Sequence, residues 1–340
     1  MGGLWSTCAH TYSIIAQYWP PAAKWRVEDM PDQTGRVILV TGASSGIGRA
    51  CVMALAAKGA KVYVACRTEA HCQTVIDQVR HATGKTVFAM TIDLSSLSAV
   101  ERAAQGFLSQ ENCLHALFNN GGVWNPEHPV TEDGLETTFG TNVVGAFYLT
   151  HLLMPALLAG ARSSADGTAR VVGTSSSTAE VGTLNYASFF GPVPGTPTTR
   201  SEALYAQSKL GVAVYARELA RRYGDSGIVS TSAHPGSIST GLYRNLPIFI
   251  RVAFSVLCWS PEQGALTMLY CGTAEETKDS NGKYFIPWAR PGASWQPQPC
   301  VEDPAVGNKL WEWMEGCKAS EAIMTDLNNA KLQIGQRDVN

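Results

Sequence analysis

Tyr205 and Lys209 stand four residues apart in the run Tyr205-Ala206-Gln207-Ser208-Lys209, so on a helix the ammonium shares a face with the phenol one turn away. A free phenol has a pKa of about 10, too high to exchange protons easily near neutrality. At an effective dielectric of about 20, a unit charge about 4 Å away is worth at most roughly 4 kcal/mol, or about three pKa units. That shift makes a tyrosine usable as a general acid or base toward an oxygen atom. Far upstream, Thr41-Gly42-Ala43-Ser44-Ser45-Gly46-Ile47-Gly48 follows the apolar run Arg36-Val37-Ile38-Leu39-Val40. Gly42 permits a tight turn, Gly46 lets backbone approach a pyrophosphate, and Gly48 lets helix and strand pack closely. Ser44, Ser45 and Ile47 fill out that loop, whose phosphates would meet unpaired N–H groups at the helix start. A dinucleotide loop joined to a proton-transferring tyrosine implies hydride transfer between a nicotinamide cofactor and a carbonyl or alcohol.

These groups need a scaffold, and the chain alternates β-rich and helical runs from residue 36 onward, as repeated βαβ units do. Strands are predicted at Arg36–Thr41, Ala60–Ala65, Thr86–Ile92, Ala116–Asn119, Arg170–Thr174, Ile228–His234 and Lys283–Ile286. Helices are predicted near 46–58, 69–82, 95–109, 132–158, 203–224 and 261–274. The expected fold is α/β: a Rossmann doubly wound, seven-stranded parallel sheet with helices on both faces, in a single domain. The chain has 340 residues and is 45% apolar, enough for one large core. We expect an N-terminal arm at 1–33, a catalytic domain at 34–290 and a C-terminal extension at 291–340 packed on it. Pro, Gly and Thr at 185–200 and Pro and Trp at 287–305 read as loops.

A formal charge of −2 gives no reason to expect nucleic acid. Nine scattered cysteines, with no CxxC or metal-ligand spacing, imply reduced thiols, no metal and a cytoplasmic setting. The arm, with Trp5, Tyr12, Trp19 and Trp25, has neither a basic start nor a long apolar core, so it reads as neither signal peptide nor transmembrane span. Met1-Gly2-Gly3-Leu4-Trp5-Ser6 fits the loose myristoylation pattern with Cys8 placed for a second lipid, which would give peripheral membrane contact. The plainer reading is an arm laid on the domain surface.

The ordered set TGASSGIG, Asp93-Leu94, Asn119-Asn120-Gly121-Gly122, Asn142, Ser176, Tyr205 with Lys209, and Pro235-Gly236 resembles the classical short-chain dehydrogenase/reductase family over roughly residues 34 to 286. The segment Gly282 to Trp288 and the Trp-rich tail near Lys309 to Met314 resemble the retinol-dehydrogenase-like branch, particularly its fungal members. The resemblance implies that Tyr205 is the proton donor or acceptor and that Lys209 also hydrogen-bonds the nicotinamide ribose. It implies that Ser176 orients the substrate oxygen, although Ser175 and Ser177 flank it and register decides. It makes Asn142 the asparagine that holds a water against the lysine. It also implies that Asp93 accepts from the adenine amino group, that Leu94 packs nearby, and that Asn119 supports the loop under the adenosine ribose. Gly121 replaces the usual alanine. Pro235, Gly236, Ile238 and Thr240 should meet the nicotinamide, its amide and the phosphates. His234, at a strand end, has no catalytic role in the family. Members commonly pair through the two long helices, which implies a homo-oligomer.

Cofactor choice follows from the end of the second strand. An NAD-preferring enzyme normally carries an acidic residue there for the ribose hydroxyls. This chain has Cys66 and then Arg67, which can grip a 2′-phosphate through charge-assisted bonds worth roughly 1.5–3 kcal/mol. NADP(H) is therefore expected, although Ser45 occupies the other basic position of NADP-dependent relatives and Glu69 could compete for Arg67.

Twenty-nine positions separate Ser176 from Tyr205, so a substrate loop at about 177–203, with Tyr186, Phe189, Phe190, Pro192 and Pro194, should wall the pocket. A second, at about 241–260, carries the apolar run Leu246 to Phe254. Such walls suit an apolar small molecule, such as a terpenoid, polyketide or retinoid-like carbonyl, and resemblance to fungal relatives suggests secondary-metabolite biosynthesis. Two other readings compete. An extended-branch epimerase or dehydratase expects a different glycine spacing. A regulatory or scaffold protein that binds NADP without turnover usually loses the Tyr or the Lys, and this chain keeps both.

Overall fold

Val37–Thr41 forms the central strand β1, every residue of it buried. Its side chains alternate between two cores: Val37 and Leu39 enter one, Ile38 and Val40 the other. The computed structural model describes residues 17, 19–191, 200–239, 258–293 and 296–317. Around β1 lie β2 (Lys61–Cys66), β3 (Phe88–Thr91), β4 (Ala116–Asn119), β5 (Ala169–Thr174), β6 (Ile228–Ala233) and β7 (Tyr284–Ile286), in the order β3-β2-β1-β4-β5-β6-β7 and all parallel. Each of the seven expected strands is present within two residues at either end. A further strand, β8 (Arg290–Pro291), adds antiparallel to β7 inside the stretch expected to be loop.

Helices α1 (Gly46–Ala57), α2 (Glu69–Thr83) and α7 (Pro261–Thr273) cover one face, burying Val52, Leu55, Val75, Met268 and Leu269. Helices α3 (Leu97–Leu108), α4 (Thr137–Leu152), α5 (Met154–Ser163) and α6 (Ser201–Tyr223) cover the other, with Phe107, Phe147, Leu157 and Leu219 in its core. This is the Rossmann α/β domain expected. Strand order reverses between β2 and β4 on either side of β1, and at such a switch point a crevice opens at the carboxyl ends of the strands.

The helix expected at 132–158 is two. Pro155, without an N–H, falls in the first turn of α5, and α4 and α5 meet at 61°. Gly140–Gly145 within α4 is a π-helical stretch. Residues 304–317 form a helix that the sequence reading did not place. Among the described residues no single helix is long and apolar enough to cross a membrane.

Candidate active site

Helix α6 carries Tyr205 and Lys209 one turn apart, as their spacing requires. Lys209 is 5% exposed, and its Nζ donates to the Thr174 carbonyl at the end of β5 (2.8 Å). The same ammonium lies 5.4 Å from the centre of the Tyr205 ring. Burial pushes the Lys209 pKa down to about 8. Beyond Thr174 the Ser175 hydroxyl is buried and donates to the Lys209 carbonyl (2.8 Å). Ser176 stays half-buried and accepts from Thr178 N (3.2 Å), so its hydroxyl hydrogen is free of that bond.

Asn142 sits in the π stretch of α4 and is buried. Its Oδ1 accepts from Val123 N (2.7 Å), and its Nδ2 donates to Val123 O (3.0 Å) and Ser208 Oγ (3.0 Å). The side chain therefore ties the loop after β4 to α6. A Cβ at Gly122 would stand 2.9 Å from Asn142 Oδ1 and 3.6 Å from Lys209 Nζ, so this loop passes directly over both. Trp124, next in the loop, holds its ring 6.0 Å from that of Tyr205.

The glycine loop closes as its spacing predicts. A Cβ on Gly48 would stand 2.4 Å from Gly42 O, and one on Gly42, whose φ is +64°, 2.6 Å from Gly121 Cα. Thr68, Ser96 and Ser260 cap α2, α3 and α7 with side-chain oxygens, whereas half-exposed Ser44 and exposed Ser45 lead into α1, where Ser45 makes no such bond. Among the described residues no side chain caps the first N–H groups of α1, and a pyrophosphate would supply that acceptor. The residues present thus fit a bound pyridine dinucleotide. Ile47 and Ile238 approach each other across Gly264, where a Cβ would stand 3.0 and 2.7 Å from their side chains.

At the adenosine end, Arg67 is exposed just past β2 and is in no ion pair with Glu69 among the described residues. Asp93 accepts from Ser95 N (2.9 Å) and Ser95 Oγ (2.7 Å) through one oxygen, and Leu94 presses on Gly121. Asn119 differs from expectation: its Nδ2 donates to Thr150 Oγ1 in α4 (2.9 Å) instead of supporting the loop. That work falls to Asn120, whose Nδ2 donates to Thr41 O (2.9 Å), and to Thr41 Oγ1, which accepts from Gly121 N (2.9 Å).

Pro235 is buried, and Gly236, at φ +94°, lies against Trp288, whose ring would be 3.2 Å from a Cβ there. His234 Nδ1 accepts from Gly236 N (3.3 Å), and burial pushes the ring's pKa down to about 3. A neutral ring that shapes the turn is its structural role. Thr240 lies outside the described residues, as do Pro192, Pro194 and most of the loop at 241–260. Phe189 corrects the expectation of a pocket wall: it is fully buried, stacked on Phe139 with ring centres 3.8 Å apart.

Sequence reasoning missed Thr41, Asn120, Trp124 and Tyr284, whose hydroxyl donates to the Ser176 carbonyl (3.0 Å). All four lay inside or beside segments already quoted, but partners about eighty or more residues away leave no local signal.

Residues 36–191 match the family described as short chain dehydrogenase. A short-chain dehydrogenase/reductase of Armillaria gallica is 45% identical over 307 residues, which is 90% of this chain and 97% of that protein. Polyprenol dehydrogenase of Mus musculus is 38% identical over 290 residues, 83% of each. Among solved structures, a protein of Mycobacterium paratuberculosis described as uncharacterized aligns at a TM-score of 0.67 and 26% identity, over 87% of this chain and 97% of its own. Two curated relatives aligned over most of both lengths, on a fold that carries the motifs in order, place this chain in the short-chain dehydrogenase/reductase family of oxidoreductases.

Proposed function

We propose that the protein is an NADP(H)-dependent oxidoreductase that interconverts a carbonyl and an alcohol on a hydrophobic small molecule. The observation that carries this reading is the buried Lys209 ammonium, fixed on the Thr174 carbonyl and held 5.4 Å from the Tyr205 ring. When bound, the nicotinamide supplies or accepts the hydride. Tyr205 gives its phenolic proton to the developing alkoxide, or takes it from the alcohol in the reverse direction, and the Lys209 charge lowers the cost of the phenolate. Ser176 donates to the same substrate oxygen and steadies its charge. With the Asn142 side chain spent on Val123 and Ser208, a relay water against Lys209 would sit on the Asn142 main-chain carbonyl.

Gly42, Ser44, Ser45, Gly46, Ile47 and Gly48 cradle the pyrophosphate. Asp93, Leu94 and Gly121 border the adenosine, and Pro235, Gly236 and Ile238 the nicotinamide. Arg67, exposed and in no ion pair among the described residues, supports a preference for the 2′-phosphate. The kinship to a polyprenol dehydrogenase favours an apolar, terpenoid-like substrate, and that to fungal proteins a role in secondary metabolism. Trp311, from the helix at 304–317, stands on Phe147 of α4 (5.1 Å) and Tyr215 of α6 (6.1 Å), and so covers part of the helix face through which a homo-oligomer would pair.

Consumption of NADPH with a panel of apolar aldehydes and ketones tests the reading. Wild type turns over and Tyr205→Phe retains NADPH binding but loses turnover. Equal turnover by both would overturn the assignment of Tyr205, and equal NADPH binding with no turnover by either on the panel would favour a scaffold that binds the cofactor.

A further inference from the structure

The connection from β5 to α6 begins at Ser176 and runs through two short 3₁₀ turns, Ser177–Val181 and Tyr186–Ser188. Such turns have few hydrogen bonds of their own, and segments of this kind open locally unless other elements hold them. The Tyr284 hydroxyl holds the Ser176 carbonyl (3.0 Å) and Gln207 of α6 accepts from Asn185 N (2.8 Å), and a second set of holding groups comes from the C-terminal part of the chain. Gln298 Nε2 donates to two carbonyls of the first turn, Ala179 O (3.0 Å) and Gly182 O (2.8 Å). Gln296 Nε2 donates to Glu180 Oε1 (2.9 Å), an oxygen that also accepts from Gln17 (2.8 Å).

At the far end Trp313 closes on the second turn. Its ring lies 4.8 Å from Phe189, 5.5 Å from Phe190 and 6.3 Å from Tyr186, and Lys309 Nζ sits 4.5 Å over the Tyr186 ring. The stretch from Ser176 to Phe190 is thus gripped at both ends by residues 296–317. These residues lie beyond the family match at 36–191 and outside every motif that supplies chemistry.

We infer that residues 296–317 form an intramolecular clamp on the loop that follows Ser176, with Gln298 and Trp313 as positioning residues: Gln298 sets where Ser176 presents its hydroxyl, and Trp313 sets the position of Tyr186–Phe190. The inference rests on the proposed role of Ser176 for its kinetic consequence, but the clamp itself is a statement about which segment opens. A misplacement of about 1 Å in a reacting group can cost about 100-fold in rate, so small shifts of this turn are enough to matter.

The test uses the full-length protein, with Gln298→Glu and Trp313→Ala as variants and Tyr205→Phe as a reference. Gln298→Glu keeps the size and shape of the side chain and removes both donors, so packing alone would leave it silent. Hydrogen exchange of peptides spanning 176–191 is read beside NADPH consumption with farnesal as probe. For Gln298→Glu we expect faster exchange at 176–182 and a kcat about 10- to 100-fold lower, with the NADPH Kd and the thermal midpoint near wild type. For Trp313→Ala we expect faster exchange at 186–191 and a change mainly in KM for farnesal. Unchanged exchange in both variants overturns the clamp, and faster exchange with unaltered kcat and KM overturns the positioning roles. Full turnover by Tyr205→Phe would strike the proposed chemistry instead, and the clamp would still stand or fall on the exchange data.

Discussion

Replacing Lys209 by methionine removes a charge while keeping an unbranched chain in the same slot. The ammonium lies 5.4 Å from the Tyr205 ring centre, and with an effective dielectric of about 20 its attraction for a phenolate is about 3 kcal/mol, a little over two pKa units. Without it the phenol returns toward its free value of about 10. Oxidation of an alcohol needs the phenolate, so at pH 7 the variant's kcat should fall about 100-fold, while reduction of the matching ketone, which needs the phenol protonated, should fall less. The assay is kcat against pH in both directions at saturating cofactor, because Lys209 is also expected to hold the nicotinamide ribose.

In the wild type the rising limb of oxidation belongs to the coupled pair, since the ammonium has its own pKa of about 8. Below that pH its charge is fully present, and above it the help to the phenolate fades. Stability supplies the control. Burial depresses the folded-state pKa below the unfolded 10.5, so the folded state is penalised most below pH 8, by up to about 3 kcal/mol, and the penalty disappears as pH rises from 8 to 10.5. Lys209→Met should therefore be at least as stable as wild type at pH 7 and lack that rise. A variant whose oxidation and reduction fall by the same factor at every pH, with no shift of the limb, would refute the electrostatic argument.

Arg67→Glu should weaken NADPH binding about 10- to 100-fold and leave NADH binding little changed, which fluorescence titration of both cofactors measures. Gly48→Ala places a methyl 2.4 Å from Gly42 O, so it should lose cofactor binding at temperatures where the fold persists, as seen by titration beside circular dichroism. His234, with a pKa pushed down to about 3, stays neutral when folded, and the unfolded ring takes a proton below about 6.5. Stability should therefore drop by about 2 kcal/mol from this ring between about pH 7 and 5, and urea unfolding of His234→Asn should lack that part of the slope.

Much of this was legible in the sequence because it is local. Buried parallel strands read as apolar runs, and β1, β2 and β4 announced themselves that way. The helical spacing of Tyr205 and Lys209 and the glycines of the β1–α1 turn are geometric demands made within a few residues. What stayed illegible depends on partners far along the chain. Phe189 looks like a pocket wall until Phe139 is found stacked on it. Asn119 and Asn120 are adjacent and chemically identical, and only the neighbours, Thr150 for one and Thr41 for the other, tell them apart. The break at Pro155 carried a local signal, yet the apolar periodicity on both sides hid it, because each half buries its own face on the same core. The helix at 304–317 carried a Trp-rich signature whose meaning lies in the surface it meets: Trp311 on α4 and α6, Trp313 on the loop after Ser176. Chemistry-bearing residues in this fold are thus set by short-range spacing, while the aromatic and amide groups that hold them in place come from long range. A search of the motifs alone would find the first set and miss the second.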